Sequence, residues 1–118
     1  MRLLLILFVL TLSLNTLAIE LKDFDSKVAH FLIEKEGALL LDVRTLFEYK
    51  IKSLKNSKRI HIGDLEENLS QVKKWNSGSF DKPIVVFCAS GVRSAKAKKI
   101  LIKNGFKKVI NLGGIGNW

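Results

Sequence analysis

Ile84-Val85-Val86-Phe87-Cys88-Ala89-Ser90-Gly91-Val92-Arg93-Ser94 is the stretch whose reading decides the fold. Four apolar, mostly β-branched residues run into the only cysteine of the chain, and a loop of small residues leads to Ser94-Ala95-Lys96-Ala97-Lys98-Lys99, a sequence with helical character. The order is strand, tight loop, helix. A thiol at such a junction faces the loop amides and the first free N–H groups of the helix, with the positive end of the helix dipole behind them. That cradle favours an anion and is expected to lower the pKa of Cys88, stabilising the thiolate that serves as nucleophile and leaving group in sulfur chemistry. Arg93 adds a full positive charge at the far end of the loop. An inert thiol filling a strand end is the plainer alternative. A core cysteine, however, has no need of Ala-Ser-Gly and an arginine behind it.

The first 18 residues read differently from the rest. Arg2 is a short positive region, Leu3 to Leu14 is an almost unbroken apolar run, and Thr16-Leu17-Ala18 ends in small residues suited to cleavage, the pattern of a secretory signal peptide. The run is short for a membrane span, which needs roughly 20 residues. Export, to a periplasm, is the expectation, with no stable membrane insertion after cleavage. The mature chain, residues 19–118, then has room for one domain. One cysteine makes no internal disulfide, so an exported chain of this composition holds a thiol available instead of stapling its fold. The formal charge of +9 comes from lysines and arginines scattered along the sequence without interleaved aromatics. That pattern points away from nucleic acid and towards a solvated basic surface able to steer small anions.

Further along, Asp23 to Glu36 reads as an amphipathic helix, with Val28, Phe31 and Leu32 on its buried face, Asp23 or Ser26 as cap and Gly37 as stop. Ala38 to Val43 is a short apolar run of the kind covered on both faces. Asp42 and Arg44 at its end are expected near the loop after Cys88, because ligands and loops gather at the carboxyl edge of a parallel sheet. A carboxylate beside a sulfur anion opposes its charge, so Asp42 is expected to hold loops and not substrate. Phe47 to Ile51 predicts a helical turn, Ile60 to Ile62 a short strand and Leu65 to Trp75 a helix. Ser94 to Asn104 predicts a further helix with Ala97, Ile100 and Leu101 inward, and Val109 to Leu112 a last strand. His30 has nothing at metal-ligand spacing and reads as a solvent-side histidine, and His61 is the one candidate for a histidine base, which a thiolate stabilised by amides does not need. Alternating strands and helices of these lengths imply an α/β domain, a central, mainly parallel sheet with helices on both faces.

Leu40-Leu41-Asp42-Val43-Arg44, Glu48-Tyr49, Cys88-Ala89-Ser90-Gly91-Val92-Arg93-Ser94-Ala95, Gly105-Phe106 and Asn111-Leu112-Gly113-Gly114-Ile115, in this order, resemble a single-domain rhodanese over nearly all of the mature chain. The resemblance implies a thiosulfate sulfurtransferase. Cys88 would take the outer sulfur of a small anionic donor as a persulfide and pass it to cyanide or a thiol. Ala89, Ser90, Gly91, Val92, Arg93 and Ser94 would form the substrate-binding loop, with Arg93 meeting the donor's charge, and Asp42 and Arg44 would support it. No metal or organic cofactor is implied, and a monomer is expected. Lys52-Ser53-Leu54 and Arg59-Ile60-His61 stand where the family often has Gly-His-Ile and Asn-Ile-Pro, a departure in a supporting loop.

Two other readings use the same residues. A rhodanese-like domain can carry sulfur or dock a partner without turnover. Some cysteine phosphatases share this fold, but their loop holds five residues between cysteine and arginine, and here there are four, a ring better sized for one extra sulfur than for phosphate.

Overall fold

The structure is a computed structural model that describes residues 20–118, so the expected leader lies outside the described residues. The chain runs α1 (Ser26–Glu36), β1 (Leu39–Asp42), α2 (Leu46–Ile51), β2 (Lys58–Arg59), 3-10 turns over Ile62–Asp64 and Glu66–Asn68, α3 (Leu69–Trp75), β3 (Ile84–Cys88), α4 (Val92–Lys103), β4 (Val109–Gly114) and a 3-10 turn over Ile115–Asn117. The four strands are all parallel, in the order β2-β1-β3-β4. The cysteine strand is therefore interior, paired on both sides, and all five of its residues are buried.

Strand alternation divides the core into two layers. Leu39 and Leu41 of β1 with Ile84, Val86 and Cys88 of β3 pack under Ala97, Ile100 and Leu101 of α4 and Val72 of α3. Leu40, Val85 and Phe87 point the other way, against Ala29 and Leu32 of α1 and the β4 residues Ile110 and Leu112. Helices thus cover both faces, as the alternating pattern implied, and each fully buried leucine or phenylalanine contributes roughly 1.5–3 kcal/mol. Period two also decides where the thiol points: Cys88 shares the face of α4, the helix its own loop leads into.

Several boundaries differ from the sequence expectation. The first helix begins at Ser26, and its cap is Asp25, whose carboxylate accepts the Val28 N–H at 3.0 Å. Its inner face is Ala29 and Leu32, while Phe31 stays 40% exposed. Regular pairing of the second strand falls on Lys58–Arg59 and not Ile60–Ile62. Pairing still continues irregularly, because Ile60 N–H donates to Asp42 O and Ile62 N–H to Val43 O. The Leu65–Trp75 segment winds as 3-10 before it becomes α-helical at Leu69. The helix after the cysteine loop starts two residues early, at Val92, because Gly91 at φ 99° turns the chain into it.

Asp42 and Arg44 form a buried ion pair at the end of β1, with side chains 0% and 4% exposed. Arg44 Nε and Nη2 donate to the carboxylate at 3.0 and 2.8 Å, and the Arg44 N–H donates to Asp42 Oδ1 at 2.9 Å. Nη2 also donates to Lys52 O at 2.7 Å, and the guanidinium lies 5.6 Å from the centre of the Phe87 ring. The pair ties β1 to the end of α2 and to β3. Removing one partner strands a buried charge, so Asp42→Ala should lower unfolding free energy by about 3–5 kcal/mol in a urea titration. A loss below about 1 kcal/mol, the range of surface pairs, would contradict this structural role.

Candidate active site

Cys88 is the last residue of β3, and the chain must reverse there to enter α4. Ala89 and Ser90 are exposed, Gly91 is buried at positive φ, and the turn brings the loop back over the sulfur. The Gly91 N–H donates to Cys88 Sγ at 2.9 Å, and Ser94 Oγ lies 3.3 Å from the same sulfur. Burial pushes the thiol pKa up, but the Ser94 hydroxyl and the amides of Ser94, Gly91 and Ser90 pull it down, and the net shift is downward. Partial positive charges built into the fold outweigh the cost of taking a thiolate out of water. Cys88 itself is 0% exposed, covered by a thin layer of loop.

Beside the loop stands a second ion pair that the sequence reading did not anticipate. Arg93 Nη1 and Nη2 donate to the two carboxylate oxygens of Glu48 at 2.6 and 2.8 Å, joining the first turn of α4 to α2. Arg93 was expected to face a donor's charge; its fork is instead engaged by Glu48. Its pKa is raised, first by Glu48 and in lesser part by the Cys88 sulfur. Glu48 in turn is lowered from 4.5 to about 2, first by Arg93, against the effect of burial, with Thr45 adding to the lowering. Thr45 caps α2: its side chain accepts the Glu48 N–H, while Glu48 Oε1 accepts the Thr45 N–H at 3.1 Å. The Thr45-Leu46-Phe47-Glu48 spacing was the available signal for this box. Nothing in sequence tied Glu48 to an arginine 45 positions away.

The loop rests on β4. A register shift between Val86 and Phe87 sets Phe87 opposite Gly113 and Cys88 opposite Gly114. A Cβ at Gly114 would overlap the Ala89 carbonyl, so only glycine lets the loop lie this low. Asn111, 2% exposed, donates from its side-chain amide to Gly91 O at 3.2 Å and accepts the Gly113 N–H at 2.9 Å.

Of the expected site residues, Cys88, Gly91 and Ser94 meet at the sulfur, and the Ser90 amide contributes to it. Ala89 supplies backbone, and Val92 points to solvent at 76% exposure. Asp42 and Arg44 neighbour Phe87 and bond to each other. His61 lies over Gly63. Among the described residues no three His, Cys, Asp or Glu side chains cluster as metal ligands.

Comparison with known proteins agrees with this geometry. The sequence model of the rhodanese-like domain matches residues 26–118. Among curated relatives, the tRNA uridine(34) hydroxylase of Pelagibacter ubique is 36% identical over 111 residues, covering 91% of this chain and 35% of that protein. The Acinetobacter baumannii protein of the same name is 33% identical, covering 84% of this chain and 34% of its own length. The chain therefore spans about a third of these relatives. Among solved structures, a rhodanese-like domain protein from Staphylococcus aureus superposes with TM-score 0.66 at 30% identity, covering 82% of this chain and 90% of that one. A rhodanese-related protein from Thermoplasma volcanium gives 0.61 at 34% identity, covering 82% and 89%. By its sequence, its parallel sheet and the cysteine loop at the sheet's edge, this chain belongs to the rhodanese-like domain family.

Proposed function

We propose that this domain is a sulfurtransferase that moves sulfane sulfur through a persulfide on Cys88. The observation that carries the reading is the pair of donors on the sulfur, the Gly91 amide at 2.9 Å and the Ser94 hydroxyl at 3.3 Å. They favour the thiolate, the form that attacks. With thiosulfate as donor, Cys88 Sγ attacks the outer sulfur, the sulfur–sulfur bond breaks, and sulfite departs with the bonding pair. The terminal sulfur left on Cys88 carries the negative charge, and the amides of the loop stabilise it. A thiolate or cyanide then attacks that terminal sulfur, and its bond to Sγ breaks to restore the Cys88 thiolate. Arg93, held in place by Glu48, supplies positive potential beside the sulfur. We place the reaction outside the cytoplasm, on the strength of the leader pattern in residues 1–18, and N-terminal sequencing of the exported protein tests that cut.

A second reading carries over the name of the curated relatives and has tRNA as the target, supported by the 36% identity. Binding of tRNA that weakens steeply with salt would favour it, and no measurable binding at low salt would remove it.

Incubation with thiosulfate should add the mass of one sulfur to the protein, and Cys88→Ala should abolish the gain. No gain with thiosulfate or any persulfide donor would favour a docking module, and hydrolysis of an aryl phosphate would favour a phosphatase. Arg93→Ala removes the positive charge beside the sulfur and should slow thiosulfate turnover roughly tenfold with the fold intact. An unchanged rate would remove Arg93 from the site.

The Glu48–Arg93 brace also has an acid signature. A carboxylate lowered from 4.5 to about 2 adds stability that is complete above pH 4.5 and disappears as pH falls through about 2. The stability difference between the wild type and Glu48→Gln should therefore be constant above that window and close within it. A difference that persists at the acid end would contradict the pairing.

A further inference from the structure

Residues 20–25 precede the part of the chain that the family model covers, yet they are tied to the sulfur loop. The Phe24 N–H donates to Asn111 O at 2.8 Å, Asp23 Oδ1 accepts the Asn111 N–H at 2.8 Å, and Asn117 Nδ2 donates to Phe24 O at 3.2 Å. Lys98 of α4 holds the Asp23 carboxylate at 2.8 Å. Phe24 itself sits at φ 59°, a left-handed conformation that a bulky residue adopts only when its surroundings impose it. What that conformation achieves is visible in the glycines beneath the ring. A methyl group at Gly113 would lie 3.0 Å from Phe24 Cδ1, and one at Gly91 would lie 3.7 Å from Phe24 Cε1 and 3.2 Å from the Gly113 Cα. Phe24, Gly91 and Gly113 therefore form a stack, with the ring outermost and 63% exposed. Gly91 is the residue whose N–H meets the Cys88 sulfur, and its carbonyl is held by the Asn111 side chain, on the residue that also receives the strap.

We propose that the Asp23–Phe24 strap is a positioning element of the sulfur site: the Phe24 ring presses Gly91 onto Gly113 and so keeps the Gly91 N–H aimed at Cys88. Phe24 acts through Gly91 and touches no reacting atom. Its strained backbone is offset by the three backbone and side-chain bonds that hold the strap on β4 and the closing turn. The charged groups at the sulfur are Arg93 of α4 and Glu48 of α2, and those at the strap are Asp23 and Lys98 of α4; Phe24→Gly removes none of them.

The test is the rate of Cys88 alkylation by iodoacetamide against pH in the whole protein, beside its thermal midpoint. Phe24→Gly keeps the strap's backbone bonds and relieves the positive φ, so the midpoint of unfolding should not fall. The alkylation profile should still move upward by about one pH unit, the worth of a weakened hydrogen bond to a charged sulfur. Phe24→Leu, which keeps an apolar side chain over the glycines, should restore most of the wild-type profile. Should Phe24→Gly fail to fold, Asp23→Asn, which weakens the strap at Lys98 and Asn111, should give a smaller shift in the same direction. An unmoved profile in a folded Phe24→Gly or Asp23→Asn protein would overturn the proposal, as would a Phe24→Leu profile no different from Phe24→Gly. The inference rests on Cys88 being the working thiol, but alkylation needs no sulfur transfer. A shifted profile in a protein that takes no sulfur would leave the strap's role standing while the sulfurtransferase reading fails.

Discussion

A buried thiol ordinarily resists ionisation, and in this fold that resistance is overcome by donors at the end of a strand, the Ser94 hydroxyl and the amides of Ser94, Gly91 and Ser90. Everything else described serves to keep them aimed. The donors act on a sulfur that is itself 0% exposed, where partial charges are screened less than in water. Burial, which taken alone would silence the cysteine, also strengthens the interactions that charge it.

The fold holds this loop at three places. From below, β4 sets Gly113 and Gly114 beside Phe87 and Cys88 after its register shift, and the missing Cβ atoms let the loop settle onto the strand. Along one flank, Glu48 fixes Arg93 to a helix that is itself fixed by its Thr45 box. At the base, the buried Asp42–Arg44 pair locks the end of β1 against the close of α2. Two ion pairs at one sheet edge thus do different work. The buried one is a structural joint, whereas the half-buried one carries charge to within reach of the sulfur.

The strand–loop–helix order around Cys88 was legible because its signals are local: a β-branched run, a single cysteine, small residues, and then a lysine-rich helical pattern. The inward set Ala97, Ile100 and Leu101 followed from periodicity, and the structure buries all three. Phe31 was placed inward on the same grounds, but Ala29, too small to register as hydrophobic patterning, occupies the packed face instead. The strand at 58–59 is a two-residue ladder of charged side chains with no apolar alternation to reveal it. The bonds from Glu48 to Arg93 and from Asp23 to Asn111 join residues far apart in sequence, and only the sheet order brings them together. Local chemistry announces a reactive cysteine, whereas the groups that tune it are set by topology.

The most direct test is to titrate the thiolate of Cys88 by its ultraviolet absorbance in the folded protein and in Ser94→Ala. Charging of the sulfur by loop donors predicts a midpoint below that of a free thiol, and a rise when the Ser94 hydroxyl is removed. A wild-type midpoint at or above the free-thiol value, unmoved by the substitution, would contradict it.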